Sequence, residues 1–436
     1  MARLTARPTQ RTSGYGWTIV AVLAVTETIS WGVLYYAFAV FLPSMQRELG
    51  WSKTELTGAF SLALATSALA AFPVGRWLDR HSPRPLMTIG SLGGGLLVLA
   101  WSQVQALLLF YVIWIGIGLA MACVLYEPAF TVVTKWFREQ RRQALTAVTL
   151  VGGWASFVFS PLSNWLIDAQ GWRHALITLA VILAAATVPL HAVFLRPAPA
   201  RDEHERAGAM AGDVPAAVSE PQVAADVAIG SGSFWYLTTA FVISSFAISA
   251  VAVHLIPYLL AGGRSAAFAA FAAGLMGLMQ VPGRLVFAAA ARFVPRRHEA
   301  PAVFLLQGVG LAVLAATTSV GGVLAAVSLF GMGNGMATLV RATAIADAYG
   351  STSYGSIAGA AAACATGARA IAPVAAAALY VGFSGYKPLL WLLVVGSALA
   401  ALAARRASQR LASADARPEL NREGGRSRST PRSRPR

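Results

Sequence analysis

GRWLDRHSPR at residues 75–84 separates two long apolar stretches, and AAAARFVPRR at 288–297 does the same in the second half of the chain. Outward from this pair the markers keep repeating. Asp79 answers Arg292, the GIG ending at Gly118 answers the GMG ending at Gly333, and Gly171-Trp172-Arg173 answers Gly385-Tyr386-Lys387. The separations are 213, 215 and 214 residues, in effect one offset. Twelve apolar stretches fall into two sets of six at that offset. The chain reads as an internally duplicated membrane protein.

Composition agrees, because 57% apolar and 12% charged residues cannot cover a water-soluble surface. A span needs about 20 apolar residues, and lipid requires its backbone groups to be bonded within a helix or a closed barrel. Long runs without alternation select helices. The fold class expected is an all-α membrane protein with twelve transmembrane helices in two pseudo-symmetric six-helix bundles. The expected spans are 16–42, 54–74, 85–102, 106–134, 143–167 and 174–195, then 233–260, 267–290, 300–318, 321–347, 354–381 and 387–404. They divide the chain into an N-terminus (1–15), a first bundle (16–195), a linker (196–232), a second bundle (233–404) and a basic tail (405–436) expected to be disordered.

The start carries Arg3, Arg7 and Arg11 but no small-residue cleavage pattern, so the first span is expected to stay in the membrane. With odd helices entering from inside, 26 of the 34 Lys and Arg residues fall on the cytoplasmic side and five on the outside. Both termini are therefore expected in the cytoplasm, in a multi-pass protein of the cytoplasmic membrane. Ten of the cations lie in the tail, which reads as facing the membrane surface, and no nucleic-acid partner is expected. Cys123 and Cys364 are expected as free thiols; no metal or cofactor is expected, and the chain is expected to be a monomer.

Five charges lie inside spans, each costing about 2.5–3.5 kcal/mol on insertion scales. They are Glu27, Glu127, Arg284, Arg341 and Arg369. A guanidinium offers a fork of donors that matches a carboxylate, which makes Arg284 and Arg369 candidates for binding an anion. The alternative is an arginine neutralised by an internal acid for packing alone. Glu27 and Glu127 are candidates for carrying a proton; alternatively Glu127 pairs with Arg341 as a gate between the halves. His254 either titrates near neutrality or is a hydrogen-bonded structural histidine. Trp31, Tyr35, Tyr36, Tyr126, Gln280 and Asn334 are candidate cavity walls, though each can equally serve helix packing.

Gly75, Asp79, Arg80 and Arg84 fit the pattern G-x-x-x-D-R-x-x-x-R between spans two and three, with Ser82 where Gly is usual. On this motif and topology the chain resembles the major facilitator superfamily. WFREQRRQALTAVTLVGG at 136–153 resembles the basic loop entering helix five of its monocarboxylate carrier and oxalate:formate antiporter branch. The resemblance implies alternating access, with helices one, four, seven and ten lining a cavity, two, five, eight and eleven beside it, and the rest facing lipid. It implies that Arg284, in Gly283-Arg284-Leu285, stands where these carriers place a basic residue on helix eight, and that Arg369 matches in type their cation on helix eleven. It also implies that Gly75, Asp79, Arg80 and Arg84 form a conformational lock, against the plainer reading in which Asp79 caps a helix and the arginines set topology.

The expected function is secondary active transport of a small organic anion, a mono- or dicarboxylate, coupled to a proton or to a counter-anion. The alternative is a proton-driven exporter of drugs or other toxic solutes, whose Gly-Pro signature is not seen in VGGWASFVFSPLSNWL. An ATP-driven pump lacks its phosphate loop here, since Lys53, Lys135 and Lys387 follow Ser52, Thr134 and Tyr386, and no H-E-x-x-H motif marks an enzyme.

Overall fold

A computed structural model of the chain describes residues 9–198, 221–290, 293–383 and 385–426. Arg292, most of the expected linker, the first eight residues and the tail beyond 426 lie outside the described residues. Among those described, eleven helical runs are long and apolar enough to cross a membrane, and one of them, Arg141–Phe194, holds two spans. Gly171, at φ 77° and ψ 157°, breaks that run, a conformation that a Cβ would oppose.

The first half contains α1 (Thr9–Trp31, continued by Gly32–Tyr36 and Ala37–Leu49), α2 (Lys53–Arg80), α3 (Pro83–Ser102) and α4 (Leu107–Val124, then Tyr126–Trp136). Its last spans are α5 (Arg141–Gly152, then 155–170) and α6 (172–194). The second half contains α7 (Gly232–Ala261), α8 (Ala266–Leu278, then Gln280–Ala290), α9 (Arg296–Ala316), α10 (Val320–Tyr349), α11 (Tyr354–Gly382) and α12 (Tyr386–Arg426). Interruptions have local causes. Pro128 and Pro282 lack the N–H that would bond the carbonyls of Val124 and Leu278, and α4 and α8 break at Leu125 and Met279. In α5 the Gly152-Gly153 pair ends the first segment. Within α1 the residues Gly32–Tyr36 form a π-helical turn, a feature often found at functional sites.

The duplication is visible in packing. A Cβ on Gly118 of α4 would strike the backbone of Ala63 in α2, and one on Gly331 of α10 would strike the backbone of Met276 in α8. Both members of the second pair lie 213 residues after their counterparts, so Gly331, not Gly333, is the packing equivalent of Gly118. The expected GIG and GMG alignment is two residues out of register.

Two further expectations are corrected. The chain does not become irregular at 405, because α12 continues to Arg426: Ala407 is buried against the second half, and Arg410 lies 4.9 Å from the Tyr236 ring centre. The last part of the expected linker is also ordered: Val223 N donates to Tyr349 O at 3.2 Å, and a short helix, Ala225–Gly230, buries Ala228.

The two halves share one apolar core at the end that carries the α2–α3 turn, where Ile19, Phe130 and Phe137 pack in one cluster with Phe287, Met336 and Tyr354. At the other end each half keeps its own core, one around Phe41, Trp101 and Trp114, the other around Leu255, Leu311 and Phe330. Among the described residues, the apolar core common to both halves thus lies at one end.

Candidate functional site

The π-helical turn of α1 gathers aromatic side chains in the membrane interior. Trp31 lies 5.1 Å from Tyr35, 6.2 Å from Tyr36 and 5.1 Å from Tyr126 of α4, centre to centre. One turn earlier, Glu27 is fully buried, and neither carboxyl oxygen has a hydrogen-bond partner. The Trp31 indole is near enough to interact with it, yet its N–H is also unpaired. A carboxyl group placed this way in lipid has no evident packing purpose.

Arg284 reaches this region from α8 of the other half. It is 4% exposed, and its Nη1 donates to the carbonyl of Thr149 on α5, while its Nε has no partner. The glycine pair explains how it fits. A Cβ on Gly153 would fall on Arg284 Nη1, and one on Gly152 would lie 2.8 Å from the Tyr126 hydroxyl and 3.4 Å from Glu27 Cβ. Arg284, Tyr126 and Glu27 therefore converge on the bare face of the α5 break, and Tyr126 is within electrostatic reach of both charges. Arg369 of α11 faces Tyr35 and Tyr36, with its Nε buried and unpartnered. Neither arginine has a carboxylate within salt-bridge distance among the described residues.

Arg341 of α10 forms an ion pair with Glu127 of α4, one group from each half. The remaining candidates stand apart. The backbone carbonyl of Asn334 accepts from Thr338 Oγ1 at 3.5 Å. His254 lies beside Tyr386, and its Nε2 bonds the carbonyl of Pro373 at 3.2 Å.

At the joined end, Asp79 accepts from Gly355 N at 2.9 Å, Ser356 N at 2.7 Å and Ser356 Oγ at 2.6 Å, and Lys135 Nζ lies 3.4 Å from it. The carboxylate thereby caps α11, a helix of the opposite half, where the helix dipole favours negative charge. Gly75 makes this possible, since a Cβ there would strike the carbonyl of Gly355. Arg80 and Arg84 are exposed. A second tie went unnoticed in the sequence: Arg142 Nη2 of α5 meets both carboxylate oxygens of Glu299 on α9, at 2.6 and 2.8 Å. Asp79→Asn removes a charge from the α11 cap, worth about 1.5–3 kcal/mol. A cysteine placed at the buried Ala358, with Cys123 and Cys364 replaced by Ser, should then react with maleimide roughly tenfold faster; an unchanged rate would show that Asp79 does not hold the halves together.

The family model described as Major Facilitator Superfamily matches residues 20–373. Human monocarboxylate transporter 11 is 26% identical over 318 residues, which are 71% of this chain and 64% of that protein. The mouse protein of the same name is 27% identical over 173 residues, 39% of this chain and 38% of its own. The chain thus spans less than two thirds of the length of these relatives. In fold it is similar to the crystal structure of FucP, the fucose:proton symporter of E. coli, in the outward conformation, with a TM-score of 0.71 and 16% identity over 90% of this chain and 99% of that one. Two six-helix repeats, the first bearing the α2–α3 motif, matched by the family model over most of their length, mean that the chain belongs to the Major Facilitator Superfamily, whose members are transporters and not enzymes.

Proposed function

We propose that this transporter moves a small organic anion, a mono- or dicarboxylate, across the cytoplasmic membrane by alternating access, with a proton or in exchange for another anion. One observation supports the reading: among the described residues the membrane interior holds three guanidinium groups, Arg284, Arg341 and Arg369, and two carboxyl groups, Glu27 and Glu127, of which Arg341 and Glu127 pair. An uncompensated cation in low dielectric is expensive, and a bound anion offsets it. Arg284 and Arg369 hold the anion, with the Tyr35 and Tyr126 hydroxyls and Asn334 available to orient its body. Glu27 carries the proton, and the Glu127–Arg341 pair serves as a gate that opens when the halves part. His254, bonded to Pro373, fits a structural role better than a coupling one. The names of the similar monocarboxylate transporters point the same way. The distribution of Lys and Arg puts both termini and the joined end in the cytoplasm, so the state described faces outward.

A thermal-shift screen of mono- and dicarboxylates on the purified protein tests the proposal. At least one should raise the melting temperature, and a screen in which none does removes the anion reading. Gly153→Ala refines it. The new methyl displaces Arg284 from its position at the Thr149 carbonyl, so uptake of the stabilising carboxylate should fall about tenfold, with a drop in the ligand-free melting temperature no larger than the loss of one charge-assisted hydrogen bond. Uptake at the wild-type rate would mean that the position of Arg284 is immaterial.

A further inference from the structure

At the joined end, between α5, α8, α9 and α10, lies a cavity of about 240 Å³ that takes no part in the site above. Phe287, Val294, Ala302, Val303, Leu306 and Met336 line it, and the Arg142–Glu299 pair closes one wall, with the guanidinium 4.8 Å from the Phe287 ring centre. The wall is therefore built by both halves.

Its surroundings indicate what it holds. Glu299 and Leu306 span about 10 Å of α9 at 1.5 Å per residue, the depth of the first part of an acyl chain beneath its headgroup. Ala302 is exposed, as are Leu305 of α9 and Leu285 and Val286 of α8, so the neighbouring surface is apolar and faces lipid. At the polar end the turn between Val294 and Glu299 carries Arg296, Arg297 and His298, all exposed, and Phe293 beside it is 84% exposed. Arg296 pairs with Asp347, whereas the Nε of Arg297 donates to its neighbour His298.

We propose that this cavity receives an acyl chain of an anionic phospholipid whose phosphate rests on the Arg296-Arg297 turn. By proportion to a cavity of about 150 Å³ that admits benzene, the space suits about ten carbon atoms. Lipid tails are already out of water, so the chain gains contact with walls that otherwise face a void, and the headgroup supplies selectivity. Because Arg142 belongs to the other half, the site is complete only while the halves are joined. The lipid therefore favours that state.

The test compares melting temperatures of the full-length protein in neutral detergent with added phosphatidylglycerol, phosphatidylcholine of the same tails, or free oleate. Phosphatidylglycerol should give a shift about three times larger than either alternative. The shift should shrink to the phosphatidylcholine value in Arg297→Gln, a substitution at an exposed position, and in Ala302→Trp, which fills the mouth. Equal shifts from the two phospholipids, or a full response in Arg297→Gln, would overturn the proposal. An equal shift from oleate would replace it with a fatty-acid site.

Discussion

Arg284→Gln is expected to weaken carboxylate binding by roughly 10- to 100-fold, the value of the one or two charge-assisted hydrogen bonds it removes. The variant should still fold. Glutamine keeps a donor for the Thr149 carbonyl, and removing a cation from the membrane interior relieves part of its insertion cost, so the ligand-free melting temperature should stay level or rise. This combination, lost affinity with intact stability, separates an anion anchor from a packing residue, whose loss would lower both. Arg284→Lys sharpens the measurement. It restores charge without the planar fork and should recover only part of the affinity. Arg369→Gln should resemble Arg284→Gln, since both guanidiniums lie within electrostatic reach of Tyr36. If titration calorimetry gives all three variants wild-type affinity, the two arginines do not bind the cargo.

The second large effect is expected at Glu27. Both of its oxygens lack partners, so Glu27→Gln replaces a group that can change charge with an isostere that cannot, at little structural cost. Counter-gradient accumulation driven by an imposed pH difference should disappear, while exchange of cargo for cargo across the same vesicle membrane should persist. If Glu27 carries the proton as proposed, wild-type uptake should decline as the outer pH rises, and the variant should be flat across the same range. Wild-type accumulation in the variant would remove Glu27 from the coupling mechanism.

How much of this was legible before the coordinates depended on the range of the forces involved. The spans are readable because insertion into lipid is decided segment by segment. Glu27, Arg284, Arg341 and Arg369 drew notice because a charge in lipid is conspicuous wherever it points. Arg142 and Glu299 did not, since a charge beside a span boundary looks like any other topology signal. Nor could the role of Gly153 be read, because it depends on the register of α5 against α8 from the opposite half. The start of the tail was misplaced for a similar reason: Ala407 looks like a loop residue until the surface that covers it is known. His254 illustrates the converse, as a residue type able to titrate whose ring instead bonds the carbonyl of Pro373.

The resting hold of Arg284 on a neutral carbonyl has a kinetic corollary. On the proposed anion reading, an incoming carboxylate would compete for the same N–H groups, so that capture of cargo and release of one strap between the two halves would become a single event. A mimic that occupies the site while leaving Thr149 in possession of the guanidinium would then arrest the cycle, and tight-binding blockers should include bulky neutral molecules as well as acids.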